Sequence, residues 1–161
     1  MDSPDILFMR QALREAKKAF EIGEVPVGAV LVHGGKIIAR GYNQVELLQD
    51  ATAHAEMLTL TMGASHLQNW RLLDTTLYCI IEPCAMCAGA MFLSRIQRLV
   101  YGAPDNRHGA CGSWCDLFSL KHPTHQIEVT KGVLEDEAAF LLRDFFQKRR
   151  ENNERKDIGT P

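Results

Sequence analysis

The sequence lacks any apolar run long enough to cross a membrane. No segment approaches the roughly 18 consecutive apolar residues of a transmembrane helix. It also lacks a large net charge: 18 lysines and arginines stand against 20 aspartates and glutamates, for a formal charge of −2. That balance argues against indiscriminate nucleic-acid binding through an overall positive surface. The first residues lack the basic and then apolar segments of a secretory signal. We therefore predict a soluble, cytoplasmic protein without membrane contact.

The chain has five cysteines, an odd number that does not suit a disulfide framework. Without an export signal, metal binding or burial is the favoured use of these thiols. At 161 residues the chain is long enough to form the core of one domain without a metal. Repeats, low-complexity tracts and linkers are absent. We predict a single domain over residues 1–150 and a polar, frayed tail over residues 151–161.

Apolar periodicity predicts four helices and five strands. The helices are expected from Pro4 up to Gly23, from Ala51 to about Met62, from Cys84 to about Leu93 and from Glu135 to about Gln147. The strands are expected over Val27 to Val32, Ile37 to Tyr42, Thr76 to Ile81, Gln97 to Tyr101 and Gln126 to Thr130, the first two as a β-hairpin. Strands separated by helices imply partly parallel pairing, with helices on both faces. The predicted fold is therefore α/β: a three-layer α/β/α domain with a five-stranded mixed sheet.

Three residues have the types and spacing of a catalytic zinc site. His54 precedes a Cys-x-x-Cys pair, Cys84 and Cys87, which share one face of a helix because they are three residues apart. One imidazole and two thiolates suit Zn²⁺, and three protein ligands leave a fourth tetrahedral position for water. Placement at a helix N-terminus favours the thiolate form. An open position on the metal predicts catalysis.

Glu56 lies two residues after His54 and is the candidate general acid and base. It is held near the metal without being a preferred ligand in a Cys/His set, and deprotonation of a metal-bound water needs a proton acceptor. A structural zinc site would have no use for it. Such a closed site would need a fourth Cys or His, for which Cys79, inside a strand, and His66, at the far end of a helix, are poor candidates.

Two further groups of residues have weaker patterns. His108, Cys111 and Cys115 lie in a Gly-rich loop without a fourth ligand, which favours ordinary loop residues over a second metal site. The run from Gln147 to Arg150 is basic, either as a solvated helix end or as a local patch for nucleic acid.

Together these motifs resemble the zinc-dependent cytidine and deoxycytidylate deaminase family, and within it the bacterial tRNA-specific adenosine deaminases. His-x-Glu with Pro-Cys-x-x-Cys is the signature of the nucleobase deaminases. The resemblance covers roughly residues 6–150. The segments that carry it are Glu24 to Val30, Thr52 to Glu56, Glu82 to Ala90, Ser94 to Ile96 and Asp144 to Phe146.

The resemblance implies a cytidine-deaminase-like fold and the hydrolytic deamination of adenosine to inosine at the wobble position of an arginine tRNA anticodon. The implied cofactor is one Zn²⁺ per subunit, bound by His54, Cys84 and Cys87, and the implied partners are the tRNA anticodon stem-loop and a second copy of the chain in a homodimer. Glu56 would take the proton of the attacking water, deliver it to adenine N1 and then help protonate the departing amine.

The resemblance also implies the residues that bind the substrate. Asn43 would hydrogen-bond the flipped base, while Val25, Pro26 and Ala55 would line its pocket. Asp105 would accept a hydrogen bond from the ribose 2′-OH of the preceding nucleotide, a contact that favours RNA over DNA. The chain departs from the family pattern around Asp105. A C-terminal helix would grip the anticodon loop through Phe145, Phe146, Lys148, Arg149 and Arg150, although adjacent aromatic residues at a helix end also serve as packing.

Two alternative functions follow from the same residues. A deaminase of a free nucleobase or nucleoside, of guanine or cytosine type, would share every metal ligand, and only the basic C-terminal residues, Asp105 and the long resemblance favour tRNA. A non-catalytic, deaminase-like binding subunit is the other alternative. Glu56 argues against it, because a binding subunit needs no proton shuttle.

Overall fold

The computed structural model describes residues 1–158, in which the chain forms five helices and five strands. In chain order these are α1 Pro4–Glu21, β1 Gly28–His33, β2 Lys36–Tyr42, α2 Val45–Leu48, α3 Ala55–Leu67, β3 Thr75–Ile81, α4 Ala85–Ser94, β4 Arg98–Ala103, β5 Glu128–Lys131 and α5 Glu135–Ile158. Every element expected from the sequence is present. The short helix α2 is additional.

The strands form one mixed sheet in the order β2-β1-β3-β4-β5. β1 pairs antiparallel with both β2 and β3, while β3, β4 and β5 run parallel. The β-hairpin and the five-stranded mixed sheet are therefore confirmed. Because β1 runs opposite to its neighbours, the start of β1 lies at the same edge of the sheet as the ends of β2, β3 and β4. The functional side chains described below lie along this edge.

Helices cover both faces of the sheet, which confirms the three-layer α/β/α architecture. Side chains of β3 alternate between the faces, as pleating requires: Tyr78 and Ile80 belong to one buried cluster, whereas Leu77 and Cys79 belong to the other. The first cluster contains residues of α1 and α5, and the second contains residues of α3 and α4. A strand buried on both faces, as expected for β3, is what the structure shows.

Helix α1 approaches the sheet closely where the sequence has glycine. Ser3 caps the helix, with its Oγ accepting the Ile6 N–H at 3.4 Å, and Pro4 is the first helical residue. A Cβ at Gly28, the first residue of β1, would collide with the backbone of Ala12 and Ala16 in α1. Glycine at this position therefore allows the helix to pack directly on the strand.

The expected starts of two helices are wrong by a few residues. α3 begins at Ala55 rather than Ala51, because Asp50 Oδ1 accepts hydrogen bonds from the Thr52 N–H at 2.8 Å and the Thr52 hydroxyl at 2.7 Å and so forms an Asx turn. α4 begins at Ala85, one residue after Cys84. His54 and Cys84 are consequently the N-cap residues of α3 and α4.

Helix α5 extends to Ile158, so its expected end near Gln147 is wrong. Residues 151–158, expected as part of a frayed tail, continue the helix, and residues 159–161 lie outside the described part. The i,i+4 pairs Asp144 with Lys148 and Gln147 with Glu151 support the continuation. The domain boundary at residue 150 stays a prediction. None of the helices described is both long and apolar enough to span a bilayer.

Candidate metal centre and substrate site

The three expected metal ligands lie together. His54 Nδ1 is 3.6 Å from Cys84 Sγ and 3.5 Å from Cys87 Sγ, and all three ligand atoms lie within 4.8 Å of one another. Zinc–nitrogen and zinc–sulfur bonds of about 2.05 and 2.3 Å at a tetrahedral angle separate the two ligand atoms by about 3.6 Å. The observed separations match the edges of such a tetrahedron. The donor set and its geometry therefore fit Zn²⁺.

Two helix N-termini bring these ligands together. His54 and Cys84, as N-caps, both have extended backbone conformations, and neither side chain caps its own helix by a hydrogen bond. Their side chains are consequently available to the metal. The partial positive charge at each helix start stabilises the thiolates that a zinc ion requires.

The protonation of the ligands reflects their contacts with one another. A hydrogen bond from the Cys87 thiol, aided by one from His54, lowers the pKa of Cys84 to about 4 against the opposing effect of burial. The converse interaction with Cys84, together with burial, raises the pKa of Cys87. The hydrogen bond with Cys84 also raises the pKa of His54. One thiolate therefore exists before metal binds, and binding of a cation displaces the second thiol proton.

Glu56 lies in the first turn of α3, where only 3% of the residue is exposed. Burial raises the pKa of its carboxyl group, while the charge of His54 and a hydrogen bond with Cys87 act in the opposite direction. The carboxylate thus lies beside the metal ligands without belonging to the group of three. This is the placement expected of a proton shuttle rather than of a ligand.

The first turn of α3 is fixed to the sheet by a close contact with β2. Thr59 Oγ1 donates to the Ala55 carbonyl at 2.7 Å, and a Cβ at Gly41 would collide with both of these groups. Glycine in β2 therefore lets the turn that carries Glu56 approach the sheet. Sequence reasoning did not identify Gly41 or Thr59, because their role exists only in the contact between two elements.

The residues expected to bind the base lie at the sheet edge described above. Asn43 follows β2, is 7% exposed and donates its backbone N–H to the Val27 carbonyl at 3.0 Å. Val25 and Pro26 precede β1, Pro26 buried and Val25 half-buried, and Ala55 is fully buried at the start of α3. The structure thus brings these four residues to the edge where Cys84 follows β3.

A buried glutamate that sequence reasoning missed holds the segments around these residues. Glu24 is 2% exposed, and its Oε1 accepts the Leu47 N–H of α2 at 2.6 Å. It thereby joins the segment before Val25 to the helix that follows Asn43. The only sequence signal for Glu24 was its position at the start of a segment, Glu24 to Val30, that resembles the deaminase family.

Asp105 follows β4 at the same edge. Its Oδ1 accepts the N–H groups of Arg107 and His108 at 3.1 and 3.2 Å, and its carbonyl accepts the Gly109 N–H at 2.9 Å. The side chain is 24% exposed, so part of it is open to solvent. Asp105 is therefore held in a turn at the edge of the candidate site, with contact surface left for a substrate.

A second buried glutamate, Glu82, was noted in the sequence only as the first residue of a segment that carries the family resemblance. It is 2% exposed, and its carboxylate accepts four hydrogen bonds from the loop that begins at Asp105. A charged residue directly between a buried strand and a Pro-Cys turn was the signal that could have found it. A buried carboxylate is kept only where hydrogen bonds or ion pairs compensate its desolvation.

The C-terminal residues divide into a packed and an exposed group. Phe145 is 6% exposed and lies 5.5 Å from the ring of Phe20 at the end of α1. Phe146 is 41% exposed, Lys148 lies over the Phe20 ring, and Arg149 lies over the Phe145 ring. The burial of Phe145 supports packing as its role, and its contact with RNA stays a prediction. Arg150 is exposed.

His108, Cys111 and Cys115 form no metal-binding group in the structure. Within residues 1–158 the only group of three or more suitable ligands is His54, Cys84 and Cys87. His108 lies 3.8 Å from Asp105, and the Cys111 N–H bonds to Glu82. The interpretation of these three as ordinary loop residues stays a prediction.

Comparison with known proteins identifies the family of this chain. Residues 2–103 match the family model for the zinc-binding region of cytidine and deoxycytidylate deaminases. The chain belongs to this deaminase family. The matched region contains His54, Glu56, Cys84 and Cys87. The metal centre therefore lies within the part of the chain that matches the family.

Curated relatives of this deaminase are tRNA-specific adenosine deaminases. The Bacillus subtilis enzyme of that name is 47% identical over 96% of the chain and 98% of its own length, and the Haemophilus influenzae enzyme is 51% identical over 91% and 86%. A chloroplastic tRNA(adenine(34)) deaminase of Arabidopsis thaliana is 53% identical over 90% of the chain, which spans only 12% of that longer protein.

Solved structures confirm the cytidine-deaminase-like fold. One, from work on A-to-I editing by tRNA:A34 deaminases at the wobble position of transfer RNA, superimposes with a TM-score of 0.81 at 45% identity, covering 84% of this deaminase and 99% of that chain. A guanine deaminase from Nitrosomonas europaea superimposes with a TM-score of 0.74 at 26% identity, covering 90% and 85%. The fold is thus shared by enzymes with different substrates.

Proposed function

We propose that this chain is a hydrolase that deaminates adenosine 34 of tRNA to inosine. The chemistry follows from the group His54, Cys84 and Cys87 with the buried carboxylate of Glu56 beside it. The substrate follows from relatives named tRNA-specific adenosine deaminase that match almost from end to end. An arginine tRNA anticodon remains the expected target.

His54 Nδ1 and the sulfur atoms of Cys84 and Cys87 would hold one Zn²⁺ ion. When bound by three protein ligands, zinc acts as a Lewis acid that lowers the pKa of water near neutrality. Glu56 accepts the proton of the attacking water on its carboxylate and donates it to adenine N1. It then takes the proton of the new hydroxyl group on C6 and donates it to the amine, which leaves as ammonia while the C6 carbonyl of inosine forms. Burial suits this exchange, because it favours a carboxyl group that can hold a proton.

The segments around Glu56 position the base. Asn43 supplies an amide that can both donate to and accept from the edge of adenine. Val25 is the most exposed of the three apolar residues and can contact the ring, and Pro26 and Ala55 are expected to line the pocket. Because these residues come from three separate segments at one sheet edge, the pocket they form accepts a base that has left its stack.

Asp105 and the C-terminal helix extend the contact from the base to the RNA strand. The exposed part of the Asp105 carboxylate can accept a hydrogen bond from a ribose 2′-OH, a group that DNA lacks. The ring of Phe146 can stack on a base, and Lys148, Arg149 and Arg150 can bind phosphates. Lys148 and Arg149 lie beside Phe20 and Phe145. Because Phe20 is a few residues before Val25, we expect the basic residues to lie on the side of the molecule that carries the proposed base pocket.

The alternative of a free-base deaminase has one supporting observation, the similarity to a guanine deaminase at 26% identity. The tRNA deaminase relatives are much more similar, at 41 to 53% identity. The higher identity and the exposed basic residues on α5 favour tRNA.

Substrate choice is testable with purified protein. We expect inosine formation in an unmodified arginine tRNA and in its anticodon stem-loop, with adenosine, cytidine and guanine turned over at no more than trace rates. Inosine is measured after nuclease digestion by liquid chromatography, and ammonia release measures the free bases. A stem-loop with guanosine at position 34 is the matched control.

The alternative makes the opposite prediction for the same assay. Turnover of a free base or nucleoside without reaction of either RNA would contradict the proposed function. Reaction of neither class by zinc-loaded protein would favour the non-catalytic binding subunit.

We also propose that the protein is a homodimer formed next to α4. Trp70, Leu73 and Leu93 are 54, 52 and 68% exposed. They lie near one another, because the Leu72 N–H donates to the Ser94 carbonyl at 2.7 Å and so joins their two segments. Apolar side chains gathered at the C-terminal end of the helix that carries Cys87 suit an interface with a partner copy.

Replacement of Leu93 by Asp is expected to convert the dimer to a monomer, because a carboxylate in the apolar centre of the interface would be desolvated without a partner. Light scattering measures the mass. Leu7→Asp is the matched control, since Leu7 is 52% exposed on α1 at the opposite face of the sheet. A wild-type monomer, or an unchanged L93D dimer, would contradict this interface.

The cytoplasmic location also stays a prediction, which cell fractionation tests.

A further inference from the structure

We propose that Glu82 is a positioning residue that fixes Asp105 for its contact with the RNA. This inference rests on the proposed function and adds the device by which the chain distinguishes ribose from deoxyribose beside the target. The loop of residues 105–113 surrounds the Glu82 carboxylate between the end of β4 and the metal-binding turn.

All four hydrogen bonds of the Glu82 carboxylate come from donors in this loop. Oε1 accepts the Asp105 N–H at 3.2 Å and the Ser113 hydroxyl at 2.5 Å. Oε2 accepts the N–H groups of Cys111 and Ser113 at 2.9 and 3.2 Å. A carboxylate is the side chain that accepts at both ends, so the loop is matched to a charged acceptor.

The same loop is attached to the metal-binding turn. The Ala110 N–H donates to the Pro83 carbonyl at 2.8 Å, and Cys84 forms an antiparallel bridge with Gly109. A Cβ at Gly109 would collide with the Glu82 carboxylate and the Asp105 carbonyl. Glu82 is therefore enclosed between Asp105 on one side and the turn that carries Cys84 on the other, so the distance between them is fixed.

Replacement of Glu82 by glutamine would release one of these contacts selectively. The amide nitrogen of the new side chain must face donors wherever it is placed. At the site of Oε2 it would oppose two backbone N–H groups, which cannot change roles. At the site of Oε1 it meets the Ser113 hydroxyl, which can turn to accept a hydrogen bond, and the Asp105 N–H, which cannot. The favoured orientation of the amide in this variant therefore keeps Cys111 and Ser113 bound and leaves Asp105 without its acceptor.

The test compares two stem-loops that differ by one oxygen: an all-ribose RNA and the same RNA with a 2′-deoxynucleotide immediately before the target adenosine. We expect wild-type kcat/KM to favour the ribose substrate about tenfold, the effect of one hydrogen bond to a charged group. Glu82→Gln and Asp105→Ala should each bring this ratio close to 1 while zinc content stays unchanged. The double variant should show no further loss, because both changes remove one contact.

Two variants separate positioning from general stability. Ser113→Ala removes one bond to Oε1 but leaves the Asp105 N–H bound, so the ribose preference should remain even if the melting temperature falls. Gly109→Ala displaces both the carboxylate and the Asp105 carbonyl, so it should remove the preference by a second route if Glu82→Gln does not fold.

The outcomes distinguish this inference from the proposed function. Absence of RNA deamination by wild-type protein would overturn both. Deamination with a wild-type ratio near 1 would overturn the inference and the proposed ribose contact of Asp105, but not the proposed deaminase activity. Loss of rate by E82Q on both substrates with the tenfold ratio intact would also overturn it, since a merely structural residue lowers both rates alike.

Discussion

Replacement of Glu56 by Gln is expected to lower kcat for RNA deamination by roughly 10²–10⁴-fold, the usual contribution of a positioned general acid and base. Gln has almost the same volume, so the buried position in the first turn of α3 remains filled. It cannot accept a proton from water at neutral pH or return one to adenine N1. Both proton transfers would then depend on solvent, which burial keeps away.

Zinc content and rate must be measured on the same E56Q preparation. We expect one zinc ion per chain by mass spectrometry, because Glu56 is not among the three ligands. Glu15→Gln is the matched control: this residue is also 3% exposed, but it pairs with Lys18 on α1, away from the metal centre. Its rate should stay near that of wild type.

Two results would contradict the assignment of Glu56. A wild-type rate in zinc-loaded E56Q would show that another group moves the protons. Loss of zinc from E56Q but not from E15Q would show that the carboxylate belongs to the metal site, and a ligand role would replace the shuttle.

The metal centre could be predicted from the sequence because its chemistry is local. Two cysteines three residues apart on a helix must share a face, and no tertiary knowledge is needed to see it. His54 could be assigned to the same site because imidazole and thiolate groups are preferred zinc ligands. The strands could also be predicted from the sequence. β3, for example, is mostly apolar, as expected of a strand buried on both faces.

What could not be predicted depends on contacts that periodicity does not record. The start of α3 moved from Ala51 to Ala55 because the side chain of Asp50 forms a turn with Thr52, which competes with the helix. The roles of Glu24 and Glu82 appear only when a distant segment folds over each carboxylate. Composition and periodicity report which residues are buried, but not which backbone N–H group will face a buried acid.

The residues that determine the reaction could likewise be predicted from local patterns, whereas those that determine the substrate could not. The metal centre of this chain lies in a fold shared with a guanine deaminase at 26% identity, so its ligands cannot specify tRNA. We therefore propose that specificity comes from the segments around it: the one from Glu24 to Pro26, Asn43, the Asp105 loop and the end of α5. These segments are irregular or terminal, and they can change without disturbing the sheet that positions His54, Cys84 and Cys87.

Replacement of Cys87 by Ser is expected to abolish both zinc binding and deamination. The sulfur is fully buried 3.5 Å from His54 Nδ1, and apart from Cys84 no other cysteine in the described chain belongs to the ligand group. A serine hydroxyl is a poor zinc ligand at neutral pH, because it does not give up its proton as a thiol does. Without the metal, the pKa of water stays far above neutrality, and Glu56 has no activated nucleophile to deprotonate.

The core of the protein should survive this change, because both apolar clusters are built from the sheet and its helices and not from the metal. C87S is therefore expected to keep its far-ultraviolet circular dichroism while losing the stabilisation that bound zinc supplies, about 4 kcal/mol for zinc at 1,000 times its dissociation constant. Cys115→Ser is the control and should retain one zinc ion per chain. Two ions in the wild type, with one lost in C115S, would restore His108, Cys111 and Cys115 as a second site. A zinc-bound, active C87S would contradict the three-ligand centre itself.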